Sequence, residues 1–319
     1  MIRCVAIAGP TASGKTALSV ELARRFSGEI VGCDSMQIYT DMNIGTAKPT
    51  ADERSGIPHH LVDFLPPDKS FSAEAYRELA GAAIADIASR GALPVIVGGT
   101  GLYLDTLLRA PTPEVPPASA EYRNRILSAI KSDADIEALW QRLHDCDPQS
   151  AEIIHKNNVK RVIRALEIYD STGKPKSYWD ALSKMGDGEY DILLFVLDFH
   201  RRETLYERID KRVDIMMENG LLPEVEALYR RGYLRGEDTA SGAIGYKELV
   251  EYLRGECELS SAVEKIKLSS RRYAKRQLTW FRHECGAKTV YMDNPEGVMR
   301  DISEPISEIS DAITEFLRK

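Results

Sequence analysis

The sequence predicts an α/β protein, a parallel sheet covered by helices, with an all-helical domain inserted at residues 118–187 and the core formed by 1–117 and 188–319. Three observations predict it. A short apolar strand at the start of the chain runs into a glycine-rich turn and then a helix. Further short apolar stretches, bounded by turn residues, alternate with helical periodicity. Residues 111–117, PTPEVPP, place four prolines in seven positions and mark a linker into a polar, helical stretch.

The first strand, residues 2–8, enters Gly9, Pro10, Thr11, Ala12, Ser13, Gly14, Lys15 and Thr16. This is the G-x-x-x-x-G-K-[ST] phosphate loop, and its place between strand and helix argues against a chance glycine turn. Glycines let the backbone wrap a polyphosphate, and successive N–H groups and the following helix N-terminus face the anion. Lys15 adds a positive charge and Thr16 a hydroxyl for Mg²⁺. The loop specifies a phosphate chain without specifying which.

Residues 17–26 read as a helix with Leu18, Leu22 and Phe26 on one stripe and Gly28 as its stop signal. A second strand, 29–33, ends in Asp34, Ser35, Met36 and Gln37. Ligands of parallel α/β sheets gather at the carboxyl ends of strands, which places Asp34 near the phosphate loop. An aspartate after a strand also serves as a helix N-cap, and the sequence leaves both roles open. A loop over 40–58 leads to a third strand at 60–64. Ser72 caps a helix over 73–89, closed by Gly91. A fully apolar fourth strand, 93–97, ends in Gly98, Gly99, Thr100 and Gly101, a pattern that suits close backbone approach to a ligand. Phosphate-loop NTPases usually hold their metal with an acid at the end of a neighbouring strand. This strand end has none, which weakens an NTPase reading.

In the helical stretch, Lys160, Arg161 and Arg164 cluster at the start of a helix that ends at Gly173. Cations there oppose the helix dipole, so the placement suits phosphate contacts better than stability. Gly-Asp-Gly at 186–188 closes the segment, and 191–197 return to the core sheet. In the helix over 203–218, Arg208 and Arg212 lie one turn apart on one face, either as a solvated pair or as a clamp on a diphosphate. Helices follow at 223–231 and from Gly242, opened by GAIGYKE. The helix over 262–282 interleaves Tyr273, Trp280 and Phe281 with its charges, a spacing that suits core packing more often than base stacking. Residues 288–292 add a last strand.

Composition narrows the class. The chain has 319 residues, 43% hydrophobic and 29% charged, ordinary for a globular protein with a sizeable core. No apolar run is long enough to span a membrane, and the first strand begins too early for a signal peptide. Five scattered cysteines without a C-x-x-C pair read as reduced thiols of a cytoplasmic protein, and six histidines form no metal spacing. The net charge of −7 argues at first against a nucleic-acid partner, yet Lys267, Arg271, Arg272, Lys275, Arg276 and Arg282 fall in a stretch with no acid. A basic face on an acidic protein is still an electrostatic footprint.

GPTASGKT, DSMQIYTDMNIGTAKPT, GGTGLY, NNVKRVIRALEIYDSTGKPKS, IGYKE and RRYAKRQLTWFR occur in this order. Together they resemble the bacterial tRNA dimethylallyltransferase (tRNA isopentenyltransferase) family over nearly the whole chain, most weakly at 118–150 and after 290. The resemblance implies a P-loop kinase-like three-layer core with a parallel sheet, plus an inserted all-helical domain that grips the anticodon stem-loop. It implies transfer of a dimethylallyl group from dimethylallyl diphosphate to N6 of the adenine 3′-adjacent to the anticodon, position 37, with Mg²⁺. By the same resemblance, Gly9 to Thr16 bind the diphosphate, with Lys15 and Ser13 as donors, Thr16 near the metal and Arg208 and Arg212 assisting. Asp34 takes a proton or hydrogen bond from the adenine amine. Asp34, Ser35, Met36, Gln37, Thr100, Arg123, Asn158, Val159, Lys160, Arg161 and Val162 match segments that contact tRNA. The implied partners are tRNA and the prenyl donor, with no membrane, and the chain is expected as a monomer. The zinc finger of eukaryotic members has no counterpart, and Asn157-Asn158 stands where many bacterial members have Asp-Pro. The competing readings are an adenylate (AMP) prenyltransferase, which has no need of the 118–187 insertion, a P-loop nucleotide kinase, and a non-catalytic RNA-binding protein.

Overall fold

A computed structural model describes residues 1–111, 115–116, 118–185, 188–236, 238–282 and 286–319. Parts of the expected proline linker and of Gly-Asp-Gly 186–188, and Cys285, lie outside the described residues. The chain divides into two compact units, one of Met1–Asp105 with Tyr190–Lys319, the other Thr106–Glu189.

The larger unit is built on a six-stranded sheet. In chain order its elements begin with β1 (Ile2–Ala8), α1 (Lys15–Arg25), β2 (Gly28–Cys33), α2 (Ala51–Arg54), β3 (His59–His60), α3 (Ala73–Ser89), β4 (Leu93–Gly98) and α4 (Gly101–Leu108). The strand order is β3-β2-β4-β1, continued by β5 (Tyr190–Asp198) and β6 (Lys288–Tyr291). Every pairing is parallel. Such sheets are covered on both faces, and so Cys4, Val5, Ala6 and Ile7 of β1 are all at most 1% exposed. The register aligns the carboxyl ends: Ala8 pairs with Gly98 and Val196, and Gly98 with Cys33. The turns after β1, β2 and β4 therefore open at one edge of the sheet.

Two expectations are corrected. The third strand is only His59–His60 rather than 60–64, because Leu61 and Asp63 take left-handed φ values of 56° and 62° and break the extended run. Gly28 does not stop the first helix. Ser27, at φ 51°, makes that turn, and Gly28 belongs to β2, where a Cβ would meet the Leu93 carbonyl at 2.6 Å.

The smaller unit holds α5 (Ala120–Ala129), α6 (Asp133–Cys146), α7 (Pro148–Ile153), α8 (Val159–Thr172) and α9 (Lys176–Met185). Their boundaries follow local chemistry. Ser119 and Ser132 accept N–H bonds at the starts of α5 and α6, Asp147 precedes Pro148 at α7, and Gly173 ends α8 in the left-handed region. Leu143, Ala151, Ile154, Val162, Ala165 and Leu166 form its own core.

The larger unit is completed by α10 (Arg202–Glu218), α11 (Leu221–Arg230), α12 (Tyr246–Leu253), α13 (Leu259–Phe281) and α14 (Ser303–Arg318). Among the described residues no helix is long and apolar enough to cross a membrane.

Candidate active site

The site grows from the aligned strand ends. After β1, Gly14 takes φ 91° and becomes the N-cap residue of α1, so the loop swings its amides around the helix N-terminus. No acid stands in the first turn of α1. The Lys15 Nζ folds over the loop and donates to the Gly9 and Pro10 carbonyls at 2.9 and 2.7 Å. Burial, and then the Arg212 charge, push Lys15 down to about 7, with the Asp34 carboxylate opposing.

Two arginines of α10 face the same loop. Arg208 donates from Nε to the Ala12 carbonyl at 2.9 Å. Arg212 couples electrostatically to Lys15, Asp34 and Arg208, and burial pushes its pKa below the usual guanidinium value. Its Nε and the Ser13 Oγ are buried, and neither makes a hydrogen bond among the described residues. Buried polar groups are normally satisfied. Three cations and an unpartnered hydroxyl around one glycine loop are the signature of an anion-binding site, and among the described residues no carboxylate forms a salt bridge with any of the three.

Asp34 follows β2 directly. Its Oδ1 accepts the N–H of Met36 at 2.9 Å and of Gln37 at 3.3 Å, so one oxygen shapes the turn. Oδ2 makes no hydrogen bond among the described residues. No helix follows, so of the two roles the sequence left open the N-cap becomes the cap of a turn. Thr100, at the end of β4, accepts the Ser35 N–H at 2.9 Å and donates to the Ser35 Oγ at 3.3 Å, locking the two turns together. Gln37 is less free than expected: its Nε2 is bonded to the Thr46 and Ala47 carbonyls, both at 3.1 Å.

Helix α13 roofs this edge, which the sequence did not reveal. Gln277, 6% exposed, accepts the Thr11 N–H at 3.1 Å and donates to the Gly99 carbonyl at 2.9 Å. One amide thereby ties the phosphate loop to the turn after β4. Its approach requires the glycines there: a Cβ on Gly99 would lie 2.2 Å from the Gln277 amide, and one on Gly101 2.4 Å from the Trp280 ring. Burial raises the Tyr273 phenol to about 12, with the Asp34 charge adding to it and a hydrogen bond to Thr100 opposing. Trp280 and Tyr273 therefore line the turns, while Phe281 is core.

The basic face of α13 is smaller than the sequence implied. Lys267 pairs with Asp214 at 2.7 Å, Arg271 with Asp210 at 2.5 Å and Arg282 with Asp198 at 3.4 Å. Arg272, Lys275 and Arg276 stay exposed. Asp198 is not singled out by the sequence. It ends β5, the other neighbour of β1, and is held by the Phe199 N–H at 2.7 Å and by Arg202 at 2.9 Å.

The remaining predicted residues lie in the smaller unit. Arg123 is on α5, Asn158 caps α8, and Lys160 and Arg161 are exposed on its first turn, with no ion pair among the described residues. Val162 is 1% exposed and packs in that unit's core, so its side chain is structural. Arg164 is tied to Glu167 and the Pro116 carbonyl, both at 2.7 Å.

Among the described residues no three His, Cys, Asp or Glu side chains come together as a metal cage. A hard cation such as Mg²⁺ does not need one, since it keeps waters and binds through one or two protein oxygens plus phosphate.

Comparison with known proteins gives consistent findings. A family model described as IPP transferase matches residues 37–284. The chain is 45% identical over 294 residues to the tRNA dimethylallyltransferase of Thermoanaerobacter sp. (strain X514), covering 92% of this chain and 93% of that one. It is similar to the crystal structure of the full-length tRNA isopentenylpyrophosphate transferase of Bacillus halodurans, with TM-score 0.73 and 41% identity over 100% of this chain and 97% of that one. A eukaryotic dimethylallyltransferase solved while acting on tRNA aligns with TM-score 0.81 and 32% identity, covering 99% of this chain and 79% of that one.

Proposed function

The chain belongs to the IPP transferase family, and we propose that it transfers a dimethylallyl group from dimethylallyl diphosphate to N6 of the adenine 3′-adjacent to the anticodon of tRNA, releasing diphosphate. The observation that carries this reading is the meeting of two opposite chemistries at one sheet edge. Lys15, Arg208, Arg212 and the free Ser13 hydroxyl face the phosphate loop, and the open Oδ2 of Asp34 is coupled to Lys15 and Arg212 beside them.

As the allylic C–O bond breaks, its electron pair leaves with the diphosphate. The three cations and the loop amides stabilise the charge that gathers there. The N6 nitrogen forms the new C–N bond, and Asp34 accepts the proton that the amine loses. An aromatic amine is a weak nucleophile, so a carboxylate on its hydrogen raises its electron density as the bond forms. The Thr16 hydroxyl and diphosphate oxygens would hold Mg²⁺, which supplies further charge neutralisation on the leaving group. Thr100 and Tyr273 hold the turn that carries Asp34. The adenine leaves its stack in the anticodon loop to reach the carboxylate. The unit Thr106–Glu189 grips the anticodon stem-loop, with Arg123, Lys160 and Arg161 on its phosphates.

The test supplies purified protein with Mg²⁺ and labelled dimethylallyl diphosphate, and offers either total tRNA or AMP. Label is expected in tRNA and not in AMP. Label in AMP, or ATP turnover without transfer, overturns the assignment.

A further inference from the structure

The loop between Asp34 and Lys48 has an unusual foundation. It is not anchored by the sheet alone. The Glu224 carboxylate of α11 accepts three successive backbone N–H groups: Asn43 at 2.9 Å, Ile44 at 2.9 Å and Gly45 at 3.3 Å. The Tyr246 hydroxyl of α12 donates to the same carboxylate at 2.6 Å. Tyr246 is fully buried, and its ring presses so closely on the loop that a Cβ on Gly45 would lie 2.4 Å from it. Among the described residues no cation pairs with Glu224; four donors balance its charge instead.

The loop is stitched inward from this point. Lys48, 8% exposed, donates to the Tyr39 carbonyl and to Asn43 and Asp63. Gln37 reaches across to Thr46 and Ala47. Ile38, Tyr39 and Met42 pack in one cluster with Leu221, Val225 and Tyr246. The turn that presents Asp34 is thus continuous with a body that rests on α11 and α12. Helix α11 directly follows α10, which carries Arg208 and Arg212. One helical hairpin holds the cations that face the phosphate loop at one point and the Asp34 loop at another.

We propose that Glu224, with Tyr246, is a positioning residue that sets the distance between the amine-activating carboxylate Asp34 and the diphosphate site. This rests on the function proposed above. A carboxylate is required because three N–H groups and one O–H all need acceptors. An amide of the same shape would turn an NH₂ group toward donors, and the loop would shift while its apolar packing on α11 and α12 persisted. The effect would fall on turnover rather than on donor binding.

The experiment compares the wild-type chain with Glu224→Gln, Tyr246→Phe and Asp34→Ala, and with Asp34→Ala combined with each of the first two. Donor affinity is read by equilibrium dialysis of labelled dimethylallyl diphosphate, and single-turnover transfer is read at saturating tRNA. Glu224→Gln is expected to slow transfer at least 10-fold and Tyr246→Phe about 3-fold, with donor affinity within 2-fold of wild type. On the residual rate of Asp34→Ala, both are expected to change transfer by less than 2-fold, because the group they position is gone. Full multiplicative losses in that background, or donor affinity falling in parallel with rate, overturn the proposal, since a merely structural role would produce them. If Glu224→Gln does not fold, Tyr246→Phe carries the same cycle. Wild-type protein that binds donor yet transfers nothing to tRNA refutes the proposed function instead, so the two failures are distinguishable.

Discussion

The larger unit holds two sets of cations that look alike in sequence and differ in what surrounds them. Lys267, Arg271 and Arg282 each meet a carboxylate, from Asp214, Asp210 and Asp198. Lys15 and Arg208 meet only backbone carbonyls, and the buried Nε of Arg212 bonds to nothing among the described residues. The first set is satisfied by the chain. The second is held together against its own repulsion and against desolvation, an arrangement that costs stability and persists where function needs it. Acids on α10 point at α13, while arginines on the same helix point at the phosphate loop. The difference teaches that a run of basic residues in sequence does not show which cations the fold leaves unpaired; of these two sets it is the half-buried one around the phosphate loop that has no carboxylate partner among the described residues.

Breaking the unpaired set should have the largest effect. Lys15→Ala is expected to lower kcat/KM about 10³-fold through lost donor binding and lost charge stabilisation, measured by initial rates over donor concentration. Wild-type donor affinity in that variant would contradict the diphosphate assignment. Asp34→Ala should lower turnover about 10²-fold with tRNA binding largely intact, checked by filter binding beside single-turnover rates; unchanged turnover removes Asp34 from the mechanism.

Smaller effects sharpen the paired side. At the start of β2, Glu29 binds Arg90 and, at 2.7 Å, His60. Arg90 and then His60 hold its carboxyl down at about 2, against the desolvation that raises it. A carboxylate with a depressed folded-state value stabilises the fold above its unfolded value, near 4.5, and that stability is lost as pH falls from there toward 2. Because Arg90 is half-exposed, we expect Glu29→Gln to cost about 1–2 kcal/mol at pH 7 and to flatten the acid limb of denaturation curves taken between pH 5 and pH 2. Arg271→Met should cost under about 1 kcal/mol by urea titration and leave prenyl transfer within about 2-fold. A large activity loss there would erase the distinction between the two sets.

Much of this was legible in the chain, for physical reasons. The phosphate loop is contiguous, and its backbone geometry is written in Gly9, Gly14 and Lys15. The aligned strand ends follow from the alternation of apolar runs and helices, which is why Asp34 and Thr100 were placed near the loop. What escaped was long-range. Gln277 meets Thr11 and Gly99 across most of the chain, and nothing local to a glutamine on a basic helix signals that. The paired fate of Lys267 and Arg271 depends on acids of α10, so a stretch without acids reads as a basic face until its neighbour is known. The third strand reads too long in the sequence because the left-handed residues that end it, Leu61 and Asp63, are neither glycine nor asparagine.

The bridge from Gln277 to Thr11 has a consequence for how the protein is born. The two residues are 266 positions apart. A chain emerging amino-terminus first has its phosphate-loop residues from the start and gains the amide that ties them to Gly99 only when α13 is complete. Contacts of such separation form late and slowly in folding. Until then the loop lacks that tie, and on the proposed function a donor that binds only the finished site would draw this last step forward by mass action.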